Sequence, residues 1–198
     1  MSKLNVAVKL LHENIMSDSS DFLNEISYMC GLSNKNLTKL YGIVLTTQQK
    51  TAMCMVTELA PMGSLLDFIR SDKNDILFTM LHSFAYQISC GMEFLEAKLL
   101  IHRDLAARNI LLFTRDKVKI CDFGMMRRLG EKKAFFKIEP NSKIPYSWYP
   151  PESLKDKLFS IKSDVWTFGI TLWEIFSFGD RPWSNLGSTQ VSWLEERN

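Results

Sequence analysis

His102-Arg103-Asp104-Leu105-Ala106-Ala107-Arg108-Asn109 is the stretch on which the fold turns. An apolar segment precedes it to about residue 97 and a short apolar run, 110–113, follows it. The stretch therefore reads as a loop between a helix and a strand. Asp104 and Asn109 place two oxygen donors five residues apart on that loop. A second short run, 118–121, leads into Asp122-Phe123-Gly124, where a further carboxylate sits at a turn that can approach a ligand closely. Asp, Asn and Asp are all hard oxygen donors, a set suited to Mg2+ and not to zinc.

Upstream, Leu4, Val6, Val8 and Leu10 alternate with Asn5, Ala7 and Lys9, which predicts a strand over 4–11. The polar cluster 18–21 has helix-start chemistry. Phe22, Ile26 and Met29 then repeat at helical spacing up to a stop at Gly31. Lys9 on the strand and Glu25 on this helix can pair across the layer, which would aim an ammonium at phosphate oxygens. Residues 40–45 and 52–57 are strand-length apolar runs around the polar turn 46–50, a hairpin pattern. Beyond Pro61 and Gly63 the character becomes helical, with a short helix expected at 64–70 and a long one at 76–97. Leu77, Leu81, Phe84, Ile88, Met92 and Leu95 mark one face of the long helix.

Past Gly124 the pattern lapses into 28 irregular residues, 124–151, a length that loops reach mainly for a function or through disorder. Residues 165–176 are apolar nearly all round, which predicts a helix buried on every side. The strand-rich first part and the helical second part meet near 58–64.

Composition limits the function classes. The chain has 198 residues, enough for one domain; 46% are apolar and 23% charged, the balance of a folded globular chain. With 24 basic against 22 acidic residues the net charge is +2, so neither a nucleic-acid arm nor an acidic tail is its theme. Cys30, Cys54, Cys90 and Cys121 lie far apart with no Cys-x-x-Cys spacing. They read as reduced thiols of a cytoplasmic chain, not a disulfide frame or a zinc site. No secretory signal is visible. The longest stretch without a charge, 76–92, carries Thr79, His82, Ser83, Gln87 and Ser89, so it suits a buried helix better than a membrane span.

Lys9, Glu25, His-Arg-Asp-x-x-x-x-Asn and Asp-Phe-Gly occur in that order, with 18 residues from Asp104 to Asp122. Over almost its whole length the sequence resembles a protein kinase catalytic domain. The resemblance implies an α+β, two-lobed fold: a strand-rich lobe at 1–58, a hinge at 59–63 and a helical lobe at 64–198. Val6-Ala7-Val8-Lys9 is similar to the third strand of the small lobe, and Thr57-Glu58-Leu59-Ala60 to the gatekeeper and hinge. Asp164, ahead of the Val165-Trp166-Thr167-Phe168-Gly169 helix, resembles the acid that braces the catalytic loop. Serine/threonine kinases carry Lys two residues after the loop aspartate. Here Ala106 stands there and the cation is Arg108, as in tyrosine kinases. Residues 143–152 resemble the tyrosine-kinase substrate-docking segment, with Pro150 in place of its alanine. Residues 40–45, 56–67 and 114–120 look most like the Ack-type non-receptor group.

By this resemblance Asp104 would take the tyrosine proton, and Asn109 and Asp122 would hold Mg2+ on ATP. Lys9, fixed by Glu25, would hold the α- and β-phosphates, and Arg108 would help neutralise the transferred group. Ala7 and Leu111 would sandwich the adenine, beside the backbone of Thr57, Glu58, Leu59 and Ala60. His102, Phe123 and Met29 would stack as part of a spine. Protein substrates bearing tyrosine are implied, with no nucleic acid, no membrane span and other domains on a longer product. Four departures are expected to matter. Only eight residues precede Lys9, so the first two strands and the glycine-rich turn are missing and the small sheet has three strands with an open edge. The chain stops at Asn198, before the last helices, which would uncover Trp166, Ile170 and Trp173 and lower stability. Phe136 stands where the Ack pattern has a phosphorylatable tyrosine. The segment 125–144 holds six Lys/Arg against two Glu, suited to an acidic peptide or to simple solvation. A kinase-like module that binds without catalysing is therefore the second reading.

Overall fold

The computed structural model describes residues 4–11, 16–46, 52–130, 133–139 and 146–184, and every structural statement below concerns these. The first part is a three-stranded antiparallel sheet of β1 (Val6–Leu11), β2 (Leu40–Thr46) and β3 (Ala52–Glu58), in the order β1-β3-β2. β2 and β3 pair with Val44 opposite Cys54, the expected hairpin; its turn, 47–50, falls outside the described residues. β1 pairs with β3 with Lys9 opposite Met55 and lies at the sheet edge among the described strands. α1 (Met16–Cys30) begins two residues before the expected start at Asp18. Its Phe22, Ile26 and Met29 are buried together with Met55, as spacings of four and three on one helix face require.

The second part is built on α2 (Leu65–Ser71) and α3 (Phe78–Ala97). Ser64 caps α2 by accepting the Asp67 N–H at 3.1 Å. α3 starts two residues later than the periodicity suggests, because Leu77 is extended and a 3-10 turn occupies Lys73–Asp75. Its buried line, Leu81, Phe84, Ile88, Gly91 and Leu95, keeps the expected face. β4 (Leu100–Ile101) follows, then the hairpin of β5 (Ile110–Thr114) and β6 (Lys117–Ile120), with Leu112 opposite Val118. Gly91 lets α3 close on this hairpin: a Cβ there would lie 2.8 Å from Ile120 Cδ1 and 3.3 Å from the Asn36 carbonyl oxygen. Ile120 also ties the two parts together. Its N–H donates to the Asn36 carbonyl at 2.8 Å, and its own carbonyl accepts from the Thr38 N–H at 2.9 Å.

The stretch expected to be irregular contains two two-residue strands, a 3-10 turn at Tyr146–Trp148 and, at its end, the start of a short helix. β7 (Arg127–Arg128) pairs with β4, and β8 (Phe136–Lys137) pairs with β9 (Leu158–Phe159). α4 (Pro151–Lys155) starts with proline in its first turn, where a missing N–H costs nothing. α5 (Ile161–Phe176) opens on a reciprocal capping box between Ser160 and Ser163. α5 is not buried on every side. Val165, Trp166 and Trp173 are 63%, 44% and 44% exposed, because nothing among the described residues packs on that face. Ile170 is half-buried. The buried face instead carries Ser163, Asp164, Thr167, Thr171 and Glu174 beside Ile175.

The Gly91 contact gives a direct test of how tightly α3 is seated. Gly91→Val forces two extra methyl groups against Ile120 and the 36 carbonyl. Urea denaturation should show a loss of about 2 kcal/mol, the scale of overpacking a filled core, although glycine is the poorer helix former.

Candidate functional site

Between β4 and β5 the chain makes few backbone hydrogen bonds of its own, and α5 supplies what the loop lacks. Both Asp164 carboxylate oxygens accept loop N–H groups, from His102 at 2.7 Å and Arg103 at 3.1 Å. Glu174, on the same helix, accepts the Ala107 N–H at 2.9 Å and the Trp148 indole N–H at 3.0 Å. Burial pushes both carboxyls above their ordinary values, against these hydrogen bonds and the nearby cations. The Arg103 carbonyl accepts from the Tyr149 hydroxyl, and Arg103 holds φ at +68°. A non-glycine residue keeps that conformation only where its surroundings impose it.

Asp104 projects from this braced loop. Its Oδ1 accepts from Arg108 Nη2 at 2.5 Å and its Oδ2 from Asn109 Nδ2 at 2.7 Å. Asn109 Nδ2 also donates to the Asp104 carbonyl at 2.7 Å, so both donors of the amide face Asp104. The Arg108 guanidinium lies 4.8 Å over the Trp148 ring, which orients it. Burial pushes the Asp104 carboxyl up; Arg108, His102 and the Asn109 hydrogen bond pull the other way without cancelling it. His102 is buried, with Nδ1 accepting the Asp104 N–H at 3.2 Å and Nε2 within 3.2 Å of the Cys121 carbonyl. That pattern assigns the Nε2–H tautomer. The ring packs edge-on to Phe123 at 5.6 Å, and Phe123 and Met29 belong to the same core.

A cleft of about 250 Å³ lies beside this loop, lined by Ala7, Lys9, Glu25, Thr57, Asn109, Leu111 and Asp122 among others. Seven of the residues singled out from sequence therefore meet in one concavity. Lys9 Nζ contacts Glu25 Oε2 at 2.6 Å, with Glu25 buried and the lysine half exposed. Burial works against the Lys9 ammonium, but the Glu25 hydrogen bond and charge, with Asp122 behind them, raise it above its ordinary value and keep it charged. Asp122 holds φ at +62° where β6 ends and the chain turns. Burial pushes the neighbouring Cys121 thiol far up; it stays protonated and lies 3.2 Å from the Asn109 carbonyl. Asn109 and Asp122 supply too few ligands to hold a metal alone. They fit Mg2+ that keeps phosphate oxygens as its remaining ligands.

Glu58, Leu59 and Ala60 do not line the cleft with side chains. Leu59 is exposed, and Glu58 turns away to Lys119 Nζ at 2.5 and 2.6 Å, while also accepting the Lys39 N–H at 2.7 Å. The structure buries Lys119 beneath Glu58, with its ammonium 4.7 Å over the Phe113 ring. This pair, Glu174 and the cleft wall at Thr38 and Met55 were not singled out from sequence. For Lys119 the only signal was its distance in chain from an acid it meets in space. Of the docking segment, 143–145 lie outside the described residues; Tyr149 is buried and Pro150 is the N-cap of α4.

Comparison with known proteins agrees with this arrangement. The family model described as protein tyrosine and serine/threonine kinase matches residues 1–198, and the chain belongs to that family. Tyrosine-protein kinase sid-3 of Caenorhabditis elegans is 46% identical over 182 residues, covering 91% of this chain and 14% of that protein. Activated Cdc42 kinase Ack of Drosophila melanogaster is 43% identical over 189 residues, covering 94% of this chain and 17% of that protein. The epidermal growth factor receptor of Apis mellifera is 39% identical over 196 residues, covering 98% of this chain and 15% of that protein. The chain spans 14–17% of the length of these relatives, which are Ack-type and other tyrosine kinases.

Two stability measurements probe the site. Lys119→Met leaves the Glu58 carboxylate largely buried without its cation and should cost about 3 kcal/mol in urea denaturation. Adding Glu58→Gln, which removes the charge and keeps an acceptor for Lys39, should recover most of that loss. Asp104 is a raised acid, so the folded chain binds more protons than the unfolded one between the ordinary and the raised value. Its contribution to stability therefore falls as pH rises through that window. Asp104→Asn should gain thermal stability relative to the parent as pH rises above about 4, the ordinary carboxyl range, with the two melting curves converging at the acid end.

Proposed function

We propose that the chain transfers the γ-phosphate of ATP to tyrosine hydroxyls of protein substrates. The observation that carries the reading is the hydrogen-bonded unit of Asp104 and Asn109, set at the mouth of the cleft that also holds Lys9, Glu25 and Asp122. The nucleotide lies between the strand-rich part, 1–58, and the helical part, 64–198, with 59–63 as the hinge. Ala7 and Leu111 enclose the adenine. Asn109 and Asp122 would hold Mg2+, which when bound would supply neutralisation of the charge that develops on the phosphates.

The protein's own groups do the rest by position and charge. Lys9 reaches the α- and β-phosphates because Glu25 fixes its ammonium. Asp104 orients the tyrosine hydroxyl and takes its proton as the oxygen–phosphorus bond forms and the bond to ADP breaks. Its raised carboxyl makes it a better proton acceptor than an exposed aspartate. Arg108, held between Asp104 and Trp148, faces the transferred group with a charge that needs no reorganisation. Arg108 and Ala106 at their positions support tyrosine over serine as the acceptor, as do the names of the relatives. A cytoplasmic, non-receptor setting is supported by the four free cysteines and the Ack-type relatives. Among the described residues no helix is long and apolar enough to cross a membrane.

Transfer of labelled phosphate from ATP to a poly-Glu-Tyr peptide, with Mg2+ present, tests this reading. Asp104→Asn should lower kcat by about 100- to 10,000-fold while nucleotide binding is retained. Lys9→Met should weaken both. A parent chain that binds ATP yet transfers no more than Asp104→Asn would leave only the binding-module reading.

A further inference from the structure

Phe136 and Phe159 stand opposite each other in the β8–β9 pair. Arg103 lays its guanidinium over both rings, 4.5 Å from the Phe159 centroid and 5.3 Å from that of Phe136. Arg127, on β7, stands 5.8 Å from the same Phe136 ring. One half-buried ring is thus shared by two guanidinium groups, one from the loop that carries Asp104 and one from the strand that follows Asp122. Guanidinium is attracted to an aromatic face by the ring quadrupole, and the attraction strengthens as water is excluded. Here Arg103 and Phe159 are both buried.

Arg103 is held along its whole length. Its N–H donates to Asp164, its carbonyl accepts from Tyr149, and its Nη1 donates to the Met125 carbonyl at 3.2 Å. Arg127 Nη1 donates in turn to the carbonyls of Gly124 and Met126, at 3.1 and 2.7 Å. The two guanidiniums therefore grip the turn after Asp122 with their hydrogen bonds and Phe136 with their faces. The next residue after Arg103 is Asp104, and the peptide between them follows directly on the left-handed φ at Arg103. Whatever seats the Arg103 side chain bears on that peptide.

We propose that Phe136 is a positioning residue for phosphoryl transfer. Its ring, stacked on Arg103 and Arg127, seats residues 124–128 and 136–138 against the loop that carries Asp104 and holds Asp104 in register without a phosphate. This rests on the transfer reading above. A tyrosine at 136 would carry a hydroxyl that phosphorylation converts into a dianion beside the same two cations, a contact made and lost with the modification. A phenyl ring offers no such group. Its contact is permanent, so the segment is held by composition and not by a switch.

The test uses the full chain and two variants. Phe136→Leu keeps apolar bulk and strand propensity but removes the ring; Phe136→Tyr, treated with phosphatase, keeps the ring. In steady-state transfer to poly-Glu-Tyr, Phe136→Leu should lower kcat about tenfold with KM for ATP within about twofold of the parent. Phe136→Tyr should restore most of kcat. Amide hydrogen exchange gives a readout independent of catalysis, at Arg103, Asp104 and Ile138, whose N–H groups bond Asp164, His102 and the Lys157 carbonyl. Protection should fall at all three in Phe136→Leu and return in Phe136→Tyr. A Leu variant matching the parent in kcat and protection overturns the proposal, as does a Tyr variant no better than Leu, which would leave apolar bulk as the whole effect. If the parent transfers nothing, the transfer reading fails by itself and positioning for transfer falls with it. Exchange then still decides whether the ring orders the Asp104 loop.

Discussion

The structure depends first on a buried carboxylate, Asp164, that accepts two consecutive backbone N–H groups from the loop carrying Asp104. A loop held away from water has no ladder to satisfy its amides, and each one left bare costs about 1–3 kcal/mol. Asp164 meets that demand from the first turn of α5, where the helix N-terminus favours negative charge and the Ser160–Ser163 capping box fixes the turn. Glu174 repeats the arrangement ten residues along the helix, about 15 Å away, by taking the Ala107 N–H. The loop is therefore strapped to one rigid rod at two points, and Asp104 lies between them. Tyr149 closes a third contact at the Arg103 carbonyl.

Two lysine–glutamate pairs show how environment separates chemistry from support. Lys9 and Glu25 join the edge strand to α1, with the lysine half exposed and open to the cleft. Lys119 and Glu58 join the β5–β6 hairpin to the end of β3, with both side chains largely covered. The first leaves an ammonium available to a ligand; the second spends its charge on holding two parts of the fold together. The Arg103–Phe136–Phe159 stack belongs with the second kind in geometry, yet it acts at the residue next to Asp104. Strain is present there too, since Arg103 and Asp122 both carry positive φ. Such strain persists where surrounding contacts over-determine it.

Much of the architecture was legible in the residue order. The face of α3, the two hairpins and the pairing of Lys9 with Glu25 follow from periodicities of 3.6 and 2 and from spacing, because local backbone geometry alone sets which side chains share a face. Convergence of Lys9, Asn109 and Asp122 on one cleft was legible through the order of their motifs. The two-residue strands β4, β7, β8 and β9 were not, since two residues carry no period. The burial of Lys119 was not legible either, because alternation reports which face a residue occupies, not whether an acid waits there.

The clearest division between chain and fold is α5. Its composition predicted a mostly apolar helix over 165–176, which the structure extends back to Ile161. It did not determine which face turns inward. Hydrophobicity alone would send Trp166 and Trp173 to the core, but both are substantially exposed while Asp164, Thr167, Thr171 and Glu174 are buried. The tertiary structure decided this because the loop that carries Asp104 brings bare N–H groups that only buried acceptors can satisfy. Thr167 and Thr171 bury their hydroxyls at little cost by returning them to carbonyls one turn back on the helix. A pattern of side chains specifies local conformation; the partners that make a buried charge tolerable come from distant parts of the chain and exist only once it has folded.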